Sequence, residues 1–174
     1  MSSMKRLLAV SAVLVASFAF AGWTPQGESS VTFKAAGNIG MKFVGVSKKA
    51  VVKDDGTNLV ITAKLADLDT DNGLRNKHML EDLESDKFPE CSLTVPLASL
   101  KEGATDAEGK GTFAIHGKTH EVTFKYTSKC TAGVCDVEGS AELNLKDYDI
   151  KIRSYLGVTV KSEVSIGSKF QVKK

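Results

Sequence analysis

From Ser30 to the end of the chain, apolar and polar residues alternate with a period of two. That is the pattern of strands with one face buried and the other wet. Val31, Phe33 and Ala35 alternate with Thr32, Lys34 and Ala36, then Ile39, Met41 and Phe43 with Gly40 and Lys42. Leu59, Ile61, Ala63 and Leu65 form a further run, as do Cys91, Leu93, Val95 and Leu97. Phe113 and Ile115 lead through Gly117-Lys118-Thr119 to Val122, Phe124 and Tyr126, which predicts a hairpin. Val137, Ala141, Leu143 and Leu145 follow, then Val158, Val160, Val164 and Ile166, and finally Phe170 and Val172.

One segment breaks the alternation. Between Asp67 and Phe88, the stretch Arg75 to Glu84 predicts a short amphipathic helix with Met79, Leu80 and Leu83 on one side, ended by Pro89. A charged, partly helical connection in an all-β chain suits a cap over one end of the sheet.

At least eight strands with one apolar face each must cover that face, by packing on a second sheet or by closing into a barrel. The expected fold is therefore all-β: an extended eight-stranded antiparallel barrel with a short helical segment near one mouth. An eight-stranded barrel is about the smallest that encloses a small ligand, and its interior can equally be filled by side chains. The alternation leaves both readings open.

The N-terminus adds a compartment. Lys5 and Arg6 precede fifteen apolar or small residues, Leu7 to Ala21, that end in the small-x-small pattern Ala19-Phe20-Ala21. This predicts a cleavable signal peptide over residues 1–21 and a mature domain over 22–174, with Met1 or Met4 as the start. The apolar run is short of the roughly 20 residues a membrane-spanning helix needs. Gly22 and Trp23 follow the cut with no Cys to take a lipid anchor, so the expectation is free export to a bacterial periplasm.

Lys5 and Arg6 account for the whole formal charge of +2, so the mature domain is neutral. Its lysines are interleaved with carboxylates, which argues against nucleic acid as a partner. Cys130 and Cys135, spaced C-x4-C about Thr131 to Val134, read as a disulfide across a hairpin in an oxidising compartment. The alternative is a two-ligand metal site, for which no third or fourth ligand lies nearby in sequence. Cys91 opens an alternating run and reads as a small inward hydrophobe. His116 and His120 flank the Gly117-Lys118-Thr119 turn and are expected to oppose one another, in turn chemistry more than in metal binding. The chain has three histidines and lacks both a Gly-x-Ser-x-Gly elbow and a His-Glu-x-x-His motif. An enzyme is not expected, nor a cofactor or metal.

Three stretches together resemble the YceI-like family of exported, lipocalin-like proteins. Leu68-Asp69-Thr70, Arg75 to Leu80 and Phe88-Pro89 resemble the family's acidic-Thr turn, Arg-Asp-x-His-Leu segment and aromatic-Pro strand entry. Gly111 to Thr119 is similar to its strand ending in Ile-His-Gly-x-Thr, and Asp147-Tyr148-Asp149-Ile150 to its acidic-aromatic turn. The chain departs from the family at Asn76, where many members carry Asp, and at Glu84-Ser85-Asp86, where paired aromatics are usual.

The resemblance implies a barrel with a long apolar pocket for a polyisoprenoid, such as an isoprenoid quinone or isoprenyl phosphate, or a similar amphiphilic lipid, held for transport or storage. The candidate wall residues are Phe33, Met41, Phe43, Ile61, Leu93, Phe113, Ile115, Phe124 and Tyr126. Arg75 and His78, three apart on the predicted helix, are the candidates for a phosphate or quinone head group. The same resemblance favours a homodimer, and the expected partners beyond the lipid include transient contact with the membrane or with membrane redox proteins. The competing reading is a filled barrel whose surface meets a membrane redox or stress-response partner, and a metal-dependent hydrolase stands behind both.

Overall fold

The structure is a computed structural model that describes residues 22–173. The predicted signal peptide lies outside the described residues. Ten strands form one antiparallel sheet: β1 (Thr24–Gly37), β2 (Lys42–Ser47), β3 (Val51–Asp54), β4 (Asn58–Lys64), β5 (Glu90–Pro96), β6 (Ala107–Ile115), β7 (Lys118–Thr131), β8 (Val134–Asn144), β9 (Ser154–Tyr155) and β10 (Val158–Lys173). They run in the order β2-β1-β10-β8-β7-β6-β5-β4-β3, with β9 paired to β10. The sheet curls on itself as an all-β, lipocalin-like half-barrel, and the one α-helix among the described residues, α1 (Gly73–Asp82), sits in the β4–β5 connection.

The strand count differs from eight because β3 and β9, four and two residues long, are too short to display alternation. Ile39 also leaves its predicted strand. It stands 67 % exposed in the turn before β2.

The edge strands β2 and β3 are not joined by a ladder. Each is protected in another way, as exposed edges must be. Val46 N donates to the Asp69 carbonyl at 2.9 Å, and Asp69 N donates back to Val46 at 3.0 Å, so the loop before α1 covers part of β2. At the other end Trp23 N donates to the Asp54 carboxylate, tying the start of β1 to the end of β3.

Two tight turns fix register on the far side. Ala132 and Gly133 join β7 to β8 with φ of 50° and 80°, and His116 and Gly117 join β6 to β7 with φ of 54° and 71°. Positive φ at both central residues marks the type I′ turn that matches strand twist. Cys130 falls directly opposite Cys135 and the two form a disulfide. The second turn is shorter than the sequence suggested. Its two residues are His116 and Gly117, so His120 faces Phe113 and the two histidines do not oppose each other.

The helix starts at its cap, Asn72, whose side chain accepts from Arg75 N at 2.9 Å. It ends at Leu83, well before Pro89, and the intervening residues form turns. Met79, Leu80 and Leu83 pack on the barrel core as the sequence predicted.

Candidate functional site

The interior has two halves of different character. Toward one end Trp23, Val52, Leu59, Phe170 and Val172 pack into a closed core. Toward the end covered by α1 lies an apolar cavity of about 480 Å³. That size falls within the several hundred Å³ typical of small-molecule sites.

Of the predicted wall residues, Phe33, Met41, Phe43, Phe113 and Ile115 line this cavity. Ile61, Leu93, Phe124 and Tyr126 line instead a second, deeper void of about 50 Å³, which Phe113 also borders. Val31, Cys91, Phe113 and Ile166 are common to both and form the partition. Tyr126 belongs to the packed half: its hydroxyl donates to the Ser99 carbonyl at 3.1 Å and accepts from Lys101 N at 2.9 Å.

The larger cavity stays open partly because of a glycine. Phe33 on β1 faces Gly45 on β2, and a side chain at Gly45 would collide with the Phe33 ring. With no Cβ there, the ring lies along the sheet and leaves the centre empty. Phe124 lies over Gly109 in the same way, in the deeper half.

Polar groups gather at the mouth. Leu74, Arg75, His78, Met79 and Asp82 recur at helical spacing and all face the cavity from α1. The Arg75 guanidinium lies 5.3 Å over the Phe43 ring, and His78 meets the Tyr155 ring edge-on at 5.5 Å. The structure thus places both predicted head-group residues at the mouth. Opposite them stand Lys151, Arg153, Tyr155 and Leu156, which sequence reasoning missed. Arg153 closes the ring by bonding Asp82 at 2.8 and 2.9 Å and Glu81 at 3.0 Å, which pins the C-terminal turn of α1 to the chain before β9.

The family-like residues before the helix form a clasp. Asn76 Oδ1 accepts from Thr70 N at 2.9 Å and from Thr70 Oγ1 at 2.6 Å, and Asn76 Nδ2 donates to Asp69 at 2.9 Å. The Asn76 hydrogen bond and the Asp71 N–H hold the Asp69 carboxyl below the usual carboxylate range. An Asp at position 76 could still accept from Thr70 but would face Asp69 with like charge. Asn76 therefore suits Asp69 and does not alter the cavity.

Cys91 is muted, and His116 is hydrogen-bonded through one ring nitrogen while its buried Nε2 has no hydrogen-bond partner among the described residues. Burial pushes the Cys91 thiol up to about 11, far from the depressed value of a nucleophile. His116 Nδ1 donates to the Tyr148 carbonyl at 2.9 Å and its ring meets Phe88 edge-on, so it ties the β6–β7 turn to the loop after β8. Among the described residues no three or more His, Cys, Asp or Glu side chains converge as a metal site would require.

The family model described as the YceI-like domain matches residues 23–172. No curated protein sequence matches the chain. A polyisoprenoid-binding domain from Saccharophagus degradans, implicated in plant cell wall breakdown, superposes with a TM-score of 0.66 at 13% identity, over 87% of this chain and 97% of its own. Burkholderia cenocepacia BcnA superposes with a TM-score of 0.66 at 18% identity, over 82% and 95%. The Campylobacter jejuni YceI protein does so with a TM-score of 0.50 at 16% identity, over 99% and 91%. At these identities the likeness is one of fold.

Proposed function

Because the chain belongs to the YceI-like family, we propose that it is an exported binding protein for a polyisoprenoid, such as an isoprenoid quinone or isoprenyl phosphate, or a similar amphiphilic lipid. The tail lies in the larger cavity and the head group rests at the mouth. The observation that carries this reading is the division of the cavity wall, apolar within and cationic at the rim. An amphiphile matches both parts, and a polar metabolite would match only the rim.

The tail gains affinity by leaving water, at roughly 25 cal/mol per Å² of apolar area. The head is met by Arg75, held over Phe43, and by His78. Arg153 is already committed to Glu81 and Asp82 and acts as a fastener. The fold of the polyisoprenoid-binding domain from Saccharophagus degradans supports the same assignment by analogy. Binding rather than catalysis agrees with the deeply buried, high-pKa Cys91, and export with the N-terminal sequence and with the disulfide.

The test is thermal unfolding of delipidated protein against a prenyl alcohol and the corresponding prenyl phosphate. Saturable stabilisation that follows RT ln(1 + [L]/Kd) supports the proposal. A melting temperature indifferent to both ligands, in protein shown to be free of lipid, refutes it.

A further inference from the structure

Seven large apolar side chains stand exposed among the described residues, and they are not scattered. Ile39, Met41, Leu74, Tyr155 and Leu156 all belong to the end of the barrel where the cavity opens, and the last four also line it. Leu156 is 86 % exposed, at the tip of the β9–β10 hairpin. Ile39 occupies the tip of the β1–β2 turn.

The two tips are tied together. Asn38 Nδ2 donates to the Gly157 carbonyl at 3.3 Å, Thr159 N donates to Asn38 Oδ1 at 3.1 Å, and Asn38 N donates to the Thr159 carbonyl at 2.9 Å. Ile39 and Leu156 are thereby presented from one braced platform. A single exposed leucine needs no explanation, but a group of apolar side chains braced beside a cavity mouth marks an interaction surface.

Charge selects the partner. From Gly37 to Phe43 and from Ile150 to Val160 the chain carries Lys42, Lys151 and Arg153 and no acidic residue. The two acids of α1, Glu81 and Asp82, are paired with Arg153. Apolar tips flanked by lysines, with a tyrosine among them, combine the features that hold a protein at an anionic lipid surface. We propose that this end of the barrel docks on an anionic phospholipid bilayer, with Ile39 and Leu156 entering the interface and Lys42 and Lys151 over the head groups. The cavity then opens directly onto the membrane, so cargo crosses without meeting bulk water. Docking stands on this surface alone, and direct transfer rests on the cargo reading above.

Co-sedimentation of the folded protein with vesicles tests it, using phosphatidylglycerol–phosphatidylcholine mixtures and pure phosphatidylcholine, all free of isoprenoids. Failure of the cargo reading therefore leaves the outcome untouched. The expected result is binding to the anionic vesicles that falls with added salt. It should weaken about tenfold or more in Ile39→Asp and in Leu156→Asp, and about fivefold in Lys42→Gln. Ile39 and Lys42 do not line the cavity, so neither substitution acts through cargo. No binding to anionic vesicles, or binding equal in wild type and all three variants, overturns the proposal. So does a concentration-dependent dimer in sedimentation velocity that Ile39→Asp abolishes without any vesicle binding, which would assign the platform to a second copy of the chain.

Discussion

Replacing Phe113 by alanine should lengthen the lipid tail that the protein accepts. Phe113 is almost fully buried and borders both voids, the larger of about 480 Å³ and the deeper of about 50 Å³. It is paired with Leu93 on one side and His120 on the other, and its ring meets Tyr148 edge-on at 5.9 Å. Truncation removes a buried ring at a cost of roughly 3–5 kcal/mol, which a domain with about 5–15 kcal/mol in hand can survive. The space released joins the two voids into one. At about 0.8 kcal/mol for each buried CH₂, each additional five-carbon prenyl unit that enters could contribute up to about 4 kcal/mol. The assay is urea unfolding of delipidated protein with prenyl alcohols that differ by one unit. In the wild type, stabilisation should stop growing once the tail fills the larger cavity, and in Phe113→Ala that plateau should move at least one unit longer. A variant destabilised as expected but with an unmoved plateau would show that Phe113 is plain core and that tail length is set elsewhere.

At the mouth, Arg75→Gln should weaken binding of a prenyl phosphate by tenfold or more, at about 1.5–3 kcal/mol for a hydrogen bond to a charged group, while binding of the matching alcohol changes little; isothermal titration separates the two. Asn76→Asp should be more destabilising at pH 7 than at pH 4, because the new carboxylate faces Asp69 and acid relieves the repulsion. In the wild type the sign runs the other way: Asp69 has a lowered folded pKa, so its contribution is present above the unfolded value and is lost as pH falls through the folded one. Melting curves of both proteins across pH 3 to 7 would reveal opposite trends, and parallel curves would dismiss the clasp. Arg153→Gln should release the end of α1 and speed cargo dissociation in stopped-flow exchange. Cys130→Ser with Cys135→Ser should cost about 2 kcal/mol, as for any short closed loop, and leave cargo affinity unchanged because the bridge is in the β7–β8 hairpin and lines neither void.

The sequence showed which side chains turn inward but not how deep each one lies. Phe33 and Ile61 sit in similar alternating runs, yet Phe33 reaches the open cavity and Ile61 the packed half. Height along the barrel depends on stagger between strands, which a period of two does not encode. The disulfide was legible because a short hairpin leaves few ways to pair its ends. The neighbouring turn was misplaced by one residue, since a type I′ turn consumes only two residues and His116 is one of them. The open cavity depends on Gly45, whose partner Phe33 is revealed only by strand register. Tyr155, Leu156 and Arg153 were invisible as mouth residues because their segment has no periodicity and meets α1 only in the folded chain. Arg75 and His78 were found through helical spacing and family likeness together.

Whether the cavity holds a lipid is decided by native mass spectrometry of the protein purified from an exporting host, followed by organic extraction and lipid identification. The expected result is one isoprenoid or similar amphiphilic lipid per chain, lost when the protein is denatured. A ligand-free mass from the folded, exported protein, with no lipid in the extract, would contradict it and leave the cavity without a cargo.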